Sequence, residues 1–265
     1  MNVRGASLAR SSRASASVQA QSTSGRPHED HMEQWNDATF ARQWAEENTQ
    51  ENPERKQSLD LLLRLISDHL AGAPAPRRVL DLGCGHGAIA ARVLHEVADT
   101  TLVGVDGSAA MLELASERLA PYAGRFALAQ ANFETMTPDD LPGAPFDVAI
   151  AVQSLHNSTD EGKKRALASV RTVLAPSGLF LLLDRIRLAT PALFGAYRSV
   201  WDTLGAEYNG QQREGHTLEA HERSVAERGD KPGSLEQNML WLREAGYSQV
   251  AALLIVGVRA LIAAS

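Results

Sequence analysis

One run, Val79-Leu80-Asp81-Leu82-Gly83-Cys84-Gly85-His86-Gly87-Ala88, constrains this chain more than any other. Apolar residues around a single acid read as a short buried strand. Gly83, Gly85 and Gly87 then read as a tight turn, and Ala88 to Val97 as a helix. Glycine permits positive φ and close approach of the backbone to a ligand. The helix start aims unpaired N–H groups at whatever sits there. The spacing Gly83-x-Gly85-x-x-Ala88 also satisfies the dinucleotide fingerprint, so the glycines alone do not choose a ligand. Asp81 narrows the choice. It ends the strand two residues before the first glycine, where a carboxylate repels a pyrophosphate and favours a cationic group such as an ammonium or a sulfonium. A second buried strand, Leu102-Val103-Gly104-Val105-Asp106, ends in an acid about twenty residues further on, a place from which a carboxylate accepts hydrogen bonds from ribose hydroxyls.

The rest of the chain repeats the alternation of strand and helix. Ser108 to Leu119 reads as a helix and Arg125 to Gln130 as a third strand, followed by Ala131-Asn132-Phe133. Phe146 to Val152 is a fourth strand that runs into Gln153-Ser154-Leu155-His156-Asn157. Asp160 to Leu174 is a helix, Ala175-Pro176-Ser177-Gly178 a turn, and Leu179 to Leu183 a fifth buried strand ending in Asp184-Arg185. Ser234-x-x-Gln237 is a capping box whose helix carries Leu235, Met239 and Leu242 and stops at Gly246. Val250–Val256 and Arg259–Ala264 read as two buried strands turning near Gly257. In open parallel sheets ligands bind at the carboxyl ends of the strands. His156, after the fourth strand, is therefore the candidate base, with a hydrogen-bonded loop histidine as the alternative.

These residues resemble the class I S-adenosylmethionine-dependent methyltransferases over about residues 52 to 265. VLDLGCGHGAIA is similar to their first motif, VGVDGSAAML to their second and VLAPSGLFLLLD to a recurring late one. The resemblance implies an α/β fold: a doubly wound, Rossmann-like, mostly parallel seven-stranded sheet with helices on both faces. It implies a last strand inserted antiparallel beside the fifth, and a helical lid inserted after the fifth strand at residues 189–232. S-adenosylmethionine is the implied cofactor. Asp81 is then expected near its methionine end, Gly83, Gly85 and Gly87 under it, and Asp106 on the ribose, with Cys84, Gly107 and Met111 also among the cofactor-binding residues. Asn132 and Phe133 are expected at the adenine, and Gln153 near the sulfonium. The family usually has an acid where this chain has Asn132; the side-chain oxygen can still accept, and a turn-forming Asn is the other reading. The helix opened by Asn52-Pro53 is expected beside the first strand, with Arg55 or Gln57 reaching the cofactor or forming surface salt bridges.

The implied reaction is transfer of a methyl group to an O, N or C nucleophile of a small-molecule acceptor. Two alternatives come from other classes. One is an RNA-modifying enzyme of the wobble-uridine type, since Asn52-Pro53-Glu54-Arg55 is similar to a segment of those enzymes. The other is a non-catalytic, cofactor-binding scaffold. A formal net charge of −6 with no Lys/Arg block argues against a nucleic-acid partner. The single cysteine, Cys84, excludes an internal disulfide and reads as a small residue of the turn. His216 and His221 are five apart and do not share a helical face, so no metal site is expected. No run reaches the roughly 18 apolar residues of a membrane span.

Residues 1 to 30 are rich in Ser, Ala and Arg with no acid before Glu29, and read as a disordered extension or, over residues 1–28, an organellar transit peptide. Without a leader the expected location is cytoplasmic. Residues 31–51 carry Trp35, Phe40 and Trp44 and are expected to cover the cofactor site or the core edge. In the lid, Tyr197, Trp201 and Tyr208 can line an acceptor pocket or pack a core. Composition leaves the oligomeric state and the acceptor open.

Overall fold

The computed structural model describes residues 34–47, 53–188, 190–207 and 217–265. The expectations for the N-terminal extension, Asn52, Tyr208 and His216 lie outside the described residues. Helix α1 (Ala38–Glu47) precedes α2 (Pro53–Leu70). There follow β1 (Arg77–Leu82), α3 (Ala88–Glu96), β2 (Thr100–Asp106), α4 (Ala109–Leu119) and β3 (Phe126–Gln130). Next come β4 (Phe146–Val152), α5 (Asp160–Val173) and β5 (Leu174–Arg185). The chain ends with α6 (Phe194–Glu207), α7 (Leu218–Glu227), α8 (Leu235–Glu244), β6 (Val250–Val256) and β7 (Arg259–Ala264).

The seven strands form one sheet in the order β3-β2-β1-β4-β5-β7-β6. β1 to β5 are parallel, and β7 is antiparallel to both β5 and β6. Alternate side chains of each strand feed opposite faces, as the period of two requires. Val79, Val148, Ile150, Leu181 and Leu183 face Leu62, Ile66 and Leu70 of α2 and Val93 and Leu94 of α3. Leu80, Leu82, Ala149, Ala151, Phe180 and Leu182 face Leu167 and Val170 of α5 and Trp241 and Leu242 of α8. Burying a side chain such as Phe180 or Leu62 contributes about 1.5–3 kcal/mol, and both faces are filled this way. No helix of the described residues is long and apolar enough to cross a membrane.

Local signals set the ends. Ser108 caps α4 by accepting from the Met111 N–H, and Ser234 and Gln237 form the reciprocal capping box of α8. Two expectations need correction. β5 starts at Leu174, not Leu179: Phe146 pairs with Leu174 and Val148 with Leu179, so residues 175–178 bulge out of an otherwise extended strand. Only β7 is a buried strand. β6 is the sheet's edge, with Leu253 and Ile255 about half exposed.

Lys163 of α5 fastens the loop after α7 to the body. Its side chain is 1 % exposed. The ammonium donates to the Ser158 carbonyl (2.9 Å), the Asp160 carboxylate (3.1 Å) and the Lys231 carbonyl, and sits 5.5 Å from the Trp241 ring centroid. Replacing it with Met keeps the stem but leaves two buried carbonyls unpaired, at about 1–3 kcal/mol each. Lys163→Met should therefore lower the urea midpoint, with the slope unchanged; a midpoint equal to wild type would mean that the loop is held by other contacts.

Candidate active site

A cavity of about 660 Å³ opens at the carboxyl ends of the parallel strands. It lies where strand order reverses between β1 and β4, the switch point at which such sheets bind ligands. Trp35 and Trp44, ahead of and within α1, wall one side. They stack edge-on with centroids 5.2 Å apart, and Trp44 also meets His86 edge-on at 5.6 Å.

The floor is the glycine turn. The N–H groups of Gly83 and Cys84 donate to the Val105 carbonyl at 2.7 and 3.0 Å. Asp106 completes the stitching, its Oδ2 accepting from Gly85 N–H (2.8 Å) and its Oδ1 from Ser108 N–H (2.9 Å). The three glycines are not equivalent. A Cβ on Gly83 would lie 2.3 Å from Ser154 Cβ, and one on Gly87 would lie 3.1 Å from the Ala115 backbone. Gly87 packs against α4, while Gly83 and Gly85 line the cavity. At Gly85 a Cβ would meet nothing within 4 Å.

Asp81, at the end of β1, is 1 % exposed, and its Oδ2 has no hydrogen-bond partner among the described residues. Burial, and then the nearby charge of Asp106, push its pKa up to about 7. His86 is also buried and its Nε2 lacks a partner among the described residues. Burial, then the charges of Arg118 and Arg55, push it down to about 4, so the ring is neutral at ordinary pH. Nothing in the sequence distinguished His86 from a filler of the turn.

Asn132 Oδ1 accepts from the Glu134 N–H (2.9 Å), the turn-forming role, with a second lone pair left. Phe133 lines the cavity, as do Cys84, Gly107 and Met111. Gln153 takes a left-handed backbone (φ 51°) while its N–H donates to Leu183. Such a conformation is rare for a residue with a side chain, and is found where tertiary structure enforces it, often at functional sites. Ser154 Oγ donates to the Leu82 carbonyl (2.8 Å), tying β4 to β1.

At the other end, His156 lines the cavity while its Nδ1 lies 2.5 Å from Asp184 Oδ1, and its own N–H donates to Asp184 Oδ2 (3.0 Å). Burial opposes ionisation of Asp184. The charge and hydrogen bond of His156, with the Arg185 and His156 N–H groups, overcome it and hold the carboxyl below its usual range. Asp184 thus fixes the ring and leaves Nε2 as the nitrogen available to a ligand. Beside it, Asp230 accepts from Arg185 (2.5 Å) and Arg228 (3.2 Å). Arg259, opposite Arg185 in the β5–β7 register, lines the same end. Sequence reading missed Asp184, Arg228, Asp230 and Arg259, because only the fold makes them neighbours.

Residues 79–178 match a family model described as a methyltransferase domain. Residues 79–178 thus form a methyltransferase domain of the class I, S-adenosylmethionine-dependent type. Over 129 residues the chain is 34% identical to the ubiquinone/menaquinone biosynthesis C-methyltransferase UbiE of Syntrophotalea carbinolica, covering 49% of this chain and 51% of that protein. Over 160 residues it is 31% identical to the trans-aconitate 2-methyltransferase of Methylobacterium radiotolerans, covering 60% and 53%. The chain thus spans about half the length of these curated relatives. Among solved structures, the DhpI complex with SAH aligns over 90% of this chain and 96% of that one, with a TM-score of 0.57 at 16% identity. The CurJ carbon methyltransferase aligns over 78% and 53%, with a TM-score of 0.55 at 22% identity. These likenesses confirm the doubly wound fold with helices inserted after the fifth strand.

Of the two readings of the aromatic stripe after the fifth strand, core packing is the one found. Trp201 packs with Leu218 and Val258, with Tyr197 alongside, and neither Tyr197 nor Trp201 lines the cavity. His221 is buried, with its ring 4.9 Å from that of Trp201. Arg55 reaches the cavity; Gln57 does not line it. Among the described residues no three His, Cys, Asp or Glu side chains are grouped to hold a metal.

The glycine geometry gives a paired test. Gly83→Ala adds a clash to a positive φ and should cost about 2–5 kcal/mol of stability. Gly85→Ala bears only the backbone cost of about 1–2 kcal/mol. Equal melting temperatures for the two variants would contradict the packing described at Gly83.

Proposed function

We propose that this protein transfers the methyl group of S-adenosylmethionine to a proton-bearing nucleophile, a hydroxyl or an enol, of a small-molecule acceptor. The observation that carries this reading is the His156–Asp184 pair opening into the cavity that the Asp81 and Asp106 strand ends also face. The cavity suits the cofactor on physical grounds. The orphaned Asp81 oxygen suits an ammonium, the lone pairs left on Asp106 suit ribose hydroxyls, and the open space over Gly85 admits a ligand against the backbone.

When bound, S-adenosylmethionine supplies a methyl group already activated on a cationic sulfur. The chain's own contribution is alignment, exclusion of water and one proton transfer. Asp106 holds the glycine turn in shape for the adenosyl portion, while Asn132 and Phe133 frame the far end, where the adenine would lie. Trp35 and Trp44 screen the cavity from solvent. Gln153 stands between the two ends, near the place of the reacting sulfur. Asp184 accepts a hydrogen bond from His156 Nδ1, which leaves Nε2 as an acceptor for the nucleophile's proton. As the proton moves to Nε2, the adjacent Asp184 carboxylate stabilises the imidazolium.

Asp184→Asn should lower kcat by about 10²–10⁴-fold, the usual contribution of a positioned general base. Affinity for S-adenosylhomocysteine should stay unchanged, and wild-type turnover would remove the base role. Asp81 gives a pH signature. A carboxyl with a raised pKa is neutral below about 7 in the free protein, whereas a cationic ligand requires it ionised. Binding therefore releases a proton, and affinity should fall about tenfold per pH unit below 7 and level off above it. In the ligand-free protein the sign is opposite: the folded state holds the extra proton between the ordinary carboxylate pKa and 7, so Asp81 lowers stability as pH rises through that window. Calorimetric titration from pH 5.5 to 8.5 checks the first statement, with Asp81→Asn predicted to flatten the profile.

The function itself is tested by thermal stabilisation with S-adenosylmethionine, S-adenosylhomocysteine and NAD in parallel. A ligand at 100 times its Kd adds about 2.7 kcal/mol. Stabilisation by the two sulfur compounds alone supports the proposal; stabilisation by NAD alone overturns it. Binding without turnover on any acceptor would favour a scaffold.

A further inference from the structure

We propose that the methyl acceptor carries a second oxygen, a hydroxyl or a carbonyl, beside the one that reacts, and that the Gln153 side-chain amide reads it. This inference rests on the methyltransferase reading of the cavity and adds the class of acceptor and the residue that selects it.

Gln153 follows β4 directly and has a left-handed backbone (φ 51°). Among the described residues the other non-glycine residue with a positive φ is Asp99. Asp99 is exposed, and aspartate enters this region more readily than most residues. Glutamine has no such preference. The fold explains the bend itself. The Gln153 N–H donates to the Leu183 carbonyl (2.8 Å), and Ser154 Oγ donates to the Leu82 carbonyl (2.8 Å). Adjacent residues are thereby tied to β5 and to β1, and the chain bends between the two ties. Glycine would make that bend without strain. Backbone geometry therefore accounts for the bend and not for the glutamine, and strained positions of this kind cluster at functional sites.

The side chain supplies the missing reason. Gln153 is half-buried and lines the cavity, and its amide has no hydrogen-bond partner among the described residues. β4 lies between β1, which carries Asp81, and β5, which carries Asp184. Gln153 therefore stands between the expected place of the sulfonium and His156, three residues further on. Asn157 brings a second amide to the cavity, beyond His156 in the short turn Leu155–Asn157.

The chemistry decides which atom the Gln153 amide can serve. The attacking oxygen gives its proton to His156 and an electron pair to the methyl carbon. An amide N–H aimed at that same oxygen would hold back the pair and slow the transfer. On a neighbouring atom it orients the acceptor at no such cost. An amide offers two donors and a carbonyl acceptor, so it fits a neutral hydroxyl or a carbonyl and requires no charge on the ligand. A site built to hydrogen-bond a substrate oxygen rejects the analogue that lacks it. With a vicinal hydroxy compound seated here, the reacting hydroxyl loses its proton to His156 as the O–CH₃ bond forms. The S–CH₃ bond breaks with its electron pair left on sulfur. The products are a methyl ether that keeps its second oxygen, S-adenosylhomocysteine and a proton that passes to solvent.

The test is calorimetric titration of the protein saturated with S-adenosylhomocysteine. The probes are catechol against phenol and acetoin against 2-butanol, with resorcinol, whose oxygens are not adjacent, as a further arm. At least one vicinal compound is expected to bind ten times or more tighter than its single-oxygen partner; where that compound is catechol, it should also bind tighter than resorcinol. Gln153→Ala and Gln153→Gly should each reduce that preference at least fivefold, with S-adenosylhomocysteine affinity within threefold of wild type. Gln153→Gly, which suits the left-handed backbone, keeps the test valid if Gln153→Ala fails to fold. The proposal is overturned if no vicinal compound is preferred, if the preference survives both substitutions, or if Asn157→Ala removes it and they do not. A loss of S-adenosylhomocysteine affinity equal to the loss of preference also overturns it, since Gln153 would then serve the cofactor. Failure of the methyltransferase reading has a different signature, since the wild type would then not bind S-adenosylhomocysteine at all.

Discussion

The Asp106 carboxylate joins two βα turns into one surface. One oxygen accepts from Gly85, the other from Ser108, so the turn after β1 and the start of α4 are fixed by the same side chain. The Val105 carbonyl adds two further bonds to the glycine turn. With the turn held in this way, its backbone can approach a ligand without collapsing, and the steric demands on Gly83 and Gly87 follow from what it packs against. The cavity floor is thus a backbone structure held from the neighbouring strand.

Charge is distributed unevenly above that floor. Asp81 and Asp106 sit at strand ends in a desolvated place, and each is pushed toward its neutral form by burial. Such acids are costly without a cation and useful with one. The opposite end carries His156, braced by Asp184, and two guanidiniums, Arg185 and Arg228, that share Asp230. A ligand with a cationic centre would answer the first end. Lys163 holds the loop bearing Asp230 against α5, and the Lys231 N–H donates to the His156 carbonyl, so this loop and the candidate base are bonded directly to each other.

Much of the scaffold was legible in the residues. The β1, β2 and β4 segments are apolar runs punctuated by glycine or an acid, and runs of this kind leave little freedom in a parallel sheet. The capping box at Ser234 and the stop at Gly246 are local chemistry and appeared as expected. The early start of β5 was not legible, because it depends on Leu174 pairing with Phe146 of β4 across a four-residue bulge and not on the preference of residues 175–178. The aromatic stripe of α6 could serve a pocket or a core, and the periodicity of Tyr197 and Trp201 is the same in either case. Packing against Val258, far along the chain, decided it.

The sequence by itself determined the parallel sheet, the glycine turn and the acids at the ends of β1 and β2, since these depend on hydrophobic runs and backbone freedom within a few neighbouring residues. Tertiary structure alone decided which oxygen braces His156 and which arginines face each other. Asp184 reaches the ring across 28 positions, and Arg259 meets Arg185 through the antiparallel insertion of β7 between β5 and β6. Partners so distant are set by strand register and the direction of chain return, and no local propensity encodes either.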